Sequence, residues 1–320
     1  MTRQVNFKKL MMEYLLLAGI ATLVIITAIV EPKFLTGENL GNIIKQFGPL
    51  SLAALGMTYV IVGGFIDLSV GGIISLISVI MVMLIDRVGQ VGSLLVVLAL
   101  GMLLGAINGG LCLTSGAMTE PEALYITYGV GAVFTAVALL VTGGTTQHMS
   151  LLNSSYSLFQ VIGNGSFGII SVSFLIFLFF LVALYIFHRK TSIGRSISYT
   201  GGNKVAAELA GLPVKKCVML IYVVSGLMAA VAAVVLTSRV TSAIPQQGKG
   251  YETNAIMSVV VGGTSMQGGN GHVLRTVLGV LLITLMSNCL NLLSVSAYMQ
   301  VVVKGLILVI AIWLDNRKNQ

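Results

Sequence analysis

The chain has 320 residues, of which 56% are hydrophobic and 9% charged, with a net charge of +8. Soluble domains carry roughly 25% charged residues, and one globular core cannot hide this much apolar side chain, so a soluble enzyme or binding module is excluded. The basic residues gather in a few loops rather than along one face, which excludes a nucleic-acid partner.

A membrane-crossing helix needs about 20 mostly apolar residues. In chain order, candidate spans run at 14–30, 47–63, 69–85, 91–109, 122–141, 168–187, 217–236, 254–263, 273–291 and 298–314. The first is too long for a signal-peptide apolar region and has no small-residue cleavage motif after it, so it reads as a span. The segment 254–263 is short and reads as a broken or re-entrant helix, tolerated where protein or a water-filled cavity covers it. Placing the N-terminus inside and alternating puts twelve Lys and Arg inside and five outside. The expectation is an all-α polytopic membrane protein of about ten helices with both termini cytoplasmic. It forms one transmembrane domain over 1–320, with a basic inner loop at 188–216 and a polar outer loop at 142–167. Tyr59-Val-Ile-Val-Gly-Gly64 echoes Ser258-Val-Val-Val-Gly-Gly263, which suggests two parallel repeats.

Several positions carry more than hydropathy. Asp67, between two apolar spans, reads as the cap that starts the next helix or as a gating or partner-facing charge. Gly101, Gly105 and Gly109 form a small-residue ladder for close helix packing, and Gly226 with Ala230 forms another. Asn108, Asn288 and Asn291 lie on apolar helices, where amides either tie helices together or line a polar path for hydroxyl-bearing solutes. Glu120, Pro121 and Glu122 read as a helix start. Cys112, Cys217 and Cys289 are isolated and read as packing residues, with neither a disulfide nor a metal site.

Residues 201–214 are Gly-Gly-Asn-Lys-Val-Ala-Ala-Glu-Leu-Ala-Gly-Leu-Pro-Val. Asn203 suits an N-cap, Gly211 a left-handed C-terminal position, and Pro213 blocks continuation. About two helical turns lie between, too few to be stable unless docked on something. That something is the chain's own loops or a partner protein. The outer loop 237–252 carries Arg239, Lys249 and Glu252 and reads as a solvated loop or a docking surface.

The segment 201–214 resembles the coupling loop of ABC importer permeases. Further motifs are similar to the ribose-type branch of that superfamily. They include Phe34 to Ile43, Gly56 to Gly71, Gly194-Arg195, Gly250 to Ala255, Val261 to Gly269 and Asn291 to Val295. Residues 116–128 are more polar than the family's usual stretch there. The resemblance implies an inner-membrane permease that moves a sugar or similar small polar solute. Its implied partners are an ABC ATPase subunit, an extracytoplasmic solute-binding protein and a second permease copy or related chain. Asn203, Ala206, Ala207, Glu208, Gly211, Leu212 and Pro213 would engage the ATPase. Arg239, Lys249 and Glu252 would receive the binding protein. ATP and magnesium would be bound by the partner ATPase, because no G-x-x-x-x-G-K-[ST] occurs in this chain. The other reading is an ion-gradient-driven secondary transporter. It needs intramembrane ionisable residues, for which only Asp67, Glu122 and Lys304 stand as candidates.

Overall fold

The computed structural model describes residues 7–318 except Ile169, with side chains from Ala18 to Trp313. Among these residues the fold is all-α. The helices are α1 (Phe7–Val30), α2 (Gly37–Val62), α3 (Val70–Thr114), α4 (Glu120–Thr142), α5 (Ser157–Asn164) and α6 (Val172–Lys190). They continue as α7 (Ser192–Gly202), α8 (Lys204–Leu209), α9 (Val214–Val240), α10 (Tyr251–Val261), α11 (Val273–Leu292) and α12 (Ala297–Lys318). Two short antiparallel ladders pair β1 (Gln147–His148) with β4 (Ser242–Ala243), and β2 (Ser166–Phe167) with β3 (Ile170–Ser171).

Among the described residues, five helices are long and apolar enough to cross a membrane: α3, α4, α6, α9 and α11. α3 covers both segments expected at 69–85 and 91–109. It is not one rod, because Gly89 breaks it at φ 75° and ψ 173°. Ser93 Oγ donates to the Met81 carbonyl at 2.7 Å, whereas twelve residues of unbroken helix would separate them by about 18 Å. The chain therefore folds back at Gly89 as a helical hairpin. α10 has 11 residues, a length of roughly 16 Å that does not cross a bilayer alone.

Burial sorts the helices into a post and a rim. In α9, 72% of the apolar window is buried, against 22% in α4 and 17% in α6. The glycine ladder explains why α3 reaches α9 so closely. A Cβ at Gly105 would strike the Tyr222 carbonyl, and one at Gly226 would strike the Gly101 carbonyl. The two small-residue ladders read from the sequence are thus two sides of one contact. Glu120 and Glu122 do start a helix: Glu122 Oε2 accepts the Thr119 N–H at 3.0 Å, and Pro121 lies in the first turn.

Contacts between loops gather at two opposite ends. At one, Gly269 N–H donates to the Val62 carbonyl at 2.8 Å, and Arg189 meets His272 at 3.0 Å. At the other, Asp86 accepts the backbone N–H of Ser154 at 2.8 Å, and Gln147 pairs with Ala243. Loops 63–69, 188–216 and 264–272 share the first end, and loops 142–167 and 237–247 the second.

The sequence echo has a backbone counterpart. After α2, Gly64 N–H bonds to Ile61 O and Phe65 N–H to Val60 O. After α10, Gly263 N–H bonds to Val260 O and Thr264 N–H to Val259 O. Both helices end in the same two-bond cap, with a glycine at φ 76° in one and 86° in the other.

Candidate functional site

The segment 201–214 folds locally as its residues dictate. Asn203 Oδ1 accepts the Ala206 N–H at 2.9 Å and caps the six-residue α8. Gly211, at φ 75°, donates to the Glu208 carbonyl, Leu212 N–H closes onto Ala207 O at 3.0 Å, and Pro213 follows. Ala206 and Glu208 face outward. Ala207, 4% exposed, packs against the chain itself and supports the helix. The outward apolar surface comes from Val205 and Leu209, 68% and 85% exposed. They lie four residues apart and so share one helix face. The sequence reading did not single out these two.

Lys204 ties this helix to the membrane body. Its Nζ donates to the Gly64 carbonyl at 3.2 Å and to the Met118 carbonyl at 2.5 Å, and sits 3.6 Å from the centre of the Phe65 ring. An ammonium over an aromatic face gains quadrupole attraction while it satisfies carbonyls at a helix end. Burial pushes the Lys204 pKa down, and Glu120 and Glu122 partly offset this. Beside it, Gly201 is wedged where both capped breaks meet. A Cβ there would strike the Val62 carbonyl and lie 2.8 Å from the Gly269 nitrogen and 2.9 Å from the Gly63 carbonyl carbon. Lys204 and Gly201 also escaped the sequence reading, because their roles depend on loops far away in the chain.

The polar residues expected on a path divide differently. Asp67, fully buried, accepts from Ser69 N at 3.0 Å, Ser69 Oγ at 2.6 Å and Ser225 Oγ at 2.7 Å. Asn108 Nδ2 donates to Ser69 Oγ at 2.5 Å. Asp67 thus precedes the α3 cap, which is Ser69, and knots α3 to α9. Asn288 and Asn39 exchange amide hydrogen bonds at 2.8 and 3.0 Å. Asn291 accepts from Gln300 Nε2 at 2.8 Å near the surface. Asp67, Asn108 and Asn288 therefore act in buried contacts between elements, and none of the four lines the cavities around α10.

Those cavities lie on either side of the first turn of α10. One, about 470 Å³, is lined by Gly71, Ser75, Thr135, Gln246, Lys249 and Glu252 among others. The other, about 520 Å³, is lined by Lys249, Glu252, Thr253, Asn254 and Lys304 among others. The loop before α10 folds inward: Gly248 N–H donates to Ser75 Oγ at 3.0 Å, and a Cβ at Gly248 would strike the Gly71 carbonyl. Glu252 Oε1 accepts the Gly250 N–H at 3.1 Å, while Oε2 is buried without a hydrogen-bond partner. Lys249 and Glu252 thus belong to cavity walls rather than to a projecting loop. Arg239 stays at the opposite end from α8, where its carbonyl accepts Asn164 Nδ2 at 3.3 Å.

Comparison with known proteins accounts for this arrangement. Residues 39–312 match the family model "Branched-chain amino acid transport system / permease component". The ribose import permease protein RbsC of Bacillus subtilis is 38% identical over 318 residues, covering 99% of this chain and 97% of the relative. RbsC of Escherichia coli K12 is 34% identical over 314 residues, covering 98% and 96%. The D-allose transport system permease protein AlsC of Escherichia coli K12 is 34% identical over 306 residues, covering 92% and 89%. No solved structure matches. With its apolar spans, capped breaks and full-length relatives, the chain is a multi-pass membrane protein that belongs to the branched-chain amino acid transport system / permease component family.

Proposed function

We propose that this chain is the membrane-spanning subunit of an ATP-driven ABC importer for ribose or a closely related sugar. Two copies, or one with a related chain, form the pathway in the bacterial inner membrane. About ten crossings leave both termini and α8 in the cytoplasm, an orientation supported by the excess of Lys and Arg in the loops at that end. ATP and magnesium bind on the partner ATPase. A solute-binding protein delivers sugar at the opposite end, around Arg239 and the loop before α10. The polar groups flanking α10, above all Ser75, Thr135, Gln246, Lys249, Glu252 and Thr253, meet the solute's hydroxyls.

The observation that carries this reading is the outward apolar pair Val205 and Leu209 on a capped helix that Lys204 clamps to the break after α2. A short helix with such a face fits a groove in a partner. Motion of the ATPase then reaches the membrane body through Lys204 and Gly201. The test is co-purification of the co-expressed ATPase with Leu209→Asp. The exposed site tolerates the charge, so the chain stays folded while ATPase binding drops at least about tenfold through loss of a buried apolar anchor. Undiminished binding by the folded variant would place the ATPase elsewhere.

A further inference from the structure

A third concavity, polar in its lining, lies at the α8 end, outside the transport and docking groups. It measures about 260 Å³ and is lined by residues including Tyr185, His188, Arg189, Asn270, His272 and Arg275, with no carboxylate in its wall. Its geometry contains a conflict. His272 caps α11, and its Nδ1 accepts the Leu274 N–H at 3.2 Å. A neutral imidazole accepts at one nitrogen only, so while Nδ1 holds the Leu274 N–H the proton sits on Nε2. Yet Nε2 lies 3.0 Å from Arg189 Nη2, which can only donate. In that tautomer two N–H donors face one another across 3.0 Å. Burial, then the charges of Arg189 and Arg275, push the His272 pKa down and favour this neutral form.

We propose that this concavity is an oxyanion site for a phosphate group, held by the His272 Nε2–H and the Arg189 guanidinium, with Arg275 on its rim. A phosphate oxygen that bridges the two donors from the cavity side turns their conflict into two charge-assisted hydrogen bonds. The start of α11 adds a favourable partial charge. The phosphate belongs either to a free phosphorylated solute or to a lipid headgroup, since the recognition chemistry is the same.

The experiment titrates inorganic phosphate against the purified chain in nonionic detergent, at constant ionic strength with chloride, and reads the unfolding midpoint. Phosphate raises the wild-type midpoint saturably. Arg189→Gln and His272→Asn each weaken the apparent affinity about tenfold, the loss of one charge-assisted hydrogen bond. His272→Asn keeps a side-chain acceptor for the Leu274 N–H, so the helix start is preserved. Lys215→Gln, at the same end but outside the concavity, leaves the response unchanged. Native mass spectrometry separates the sources. Phosphatidylglycerol retained by wild type, displaced by phosphate and absent from both variants assigns a lipid. Phosphate binding without retained lipid assigns a free compound. No phosphate response, or an equal response from wild type and variants, overturns the proposal. So does loss of ATPase binding in Arg189→Gln without a phosphate effect, which gives the concavity to an acidic side chain of the partner.

Discussion

The breaks after α2 and after α10 share a backbone and differ in everything that surrounds it. Both end in the same two-bond cap on Val-Gly-Gly. The first break is then almost wholly buried from Gly63 to Ser69, and Asp67 knots it to α9 through Ser225. The second, from Gly262 to Asn270, is largely part-exposed, and its one buried side chain, Thr264, has a hydroxyl without a partner. A repeated motif thus supplies two equal hinges, and tertiary packing makes one a fixed joint and leaves the other looser. α7 touches both through Gly201, and Lys204 of α8 touches the first.

The comparison is broken most strongly at Asp67. Asp67→Ala strands two hydroxyls and a backbone N–H in the interior and lowers stability by about 3 kcal/mol. Thr264→Val, at the looser break, removes an unsatisfied hydroxyl and changes stability by less than about 0.5 kcal/mol. Chemical unfolding in detergent measures both, and equal losses would erase the distinction.

Gly201→Ala comes next. Its new methyl meets carbonyl and amide backbone from both breaks, so overpacking costs about 2 kcal/mol. Uptake of labelled sugar in proteoliposomes falls with it. Wild-type uptake and stability in this variant would mean that the junction opens without cost.

Lys204→Met keeps the apolar stem but removes the ammonium from Gly64 and Met118. ATPase binding and ATP hydrolysis persist while sugar uptake falls about tenfold, as expected from the loss of about 1.4 kcal/mol of coupling. Parallel loss of ATPase binding would make Lys204 part of the docking surface instead.

The smallest contrast sits at the two cap glycines. Gly263→Ala meets open space and carries only the left-handed backbone penalty, about 1 kcal/mol. Gly64→Ala adds a close approach of 3.3 Å to the Gly201 carbonyl and costs a few tenths more. Thermal midpoints of the pair show whether the first break is the tighter one.

Local chemistry was legible without coordinates. Asn203, Gly211 and Pro213 bound a helix because a cap needs only neighbouring atoms, and the paired Val-Gly-Gly segments cap alike for the same reason. The glycine ladders on α3 and α9 were readable because close packing demands small residues at helical spacing. Apolar composition required a membrane solvent, whatever the topology. Which polar residues meet one another was not legible. Asp67 and Asn108 turned inward because Ser225 reaches Asp67, and Ser69 reaches Asn108, from distant stretches of chain. Lys249 and Glu252 moved from an expected outer loop to cavity walls because Gly248 can press against Gly71, and only the assembled helices create that approach. Sequence alone determined the solvent, the caps and the packing stripes, all set by short-range sterics and hydropathy. Only the tertiary structure decided which buried groups become knots, clamps or cavity walls, because that depends on partners brought from distant parts of the chain.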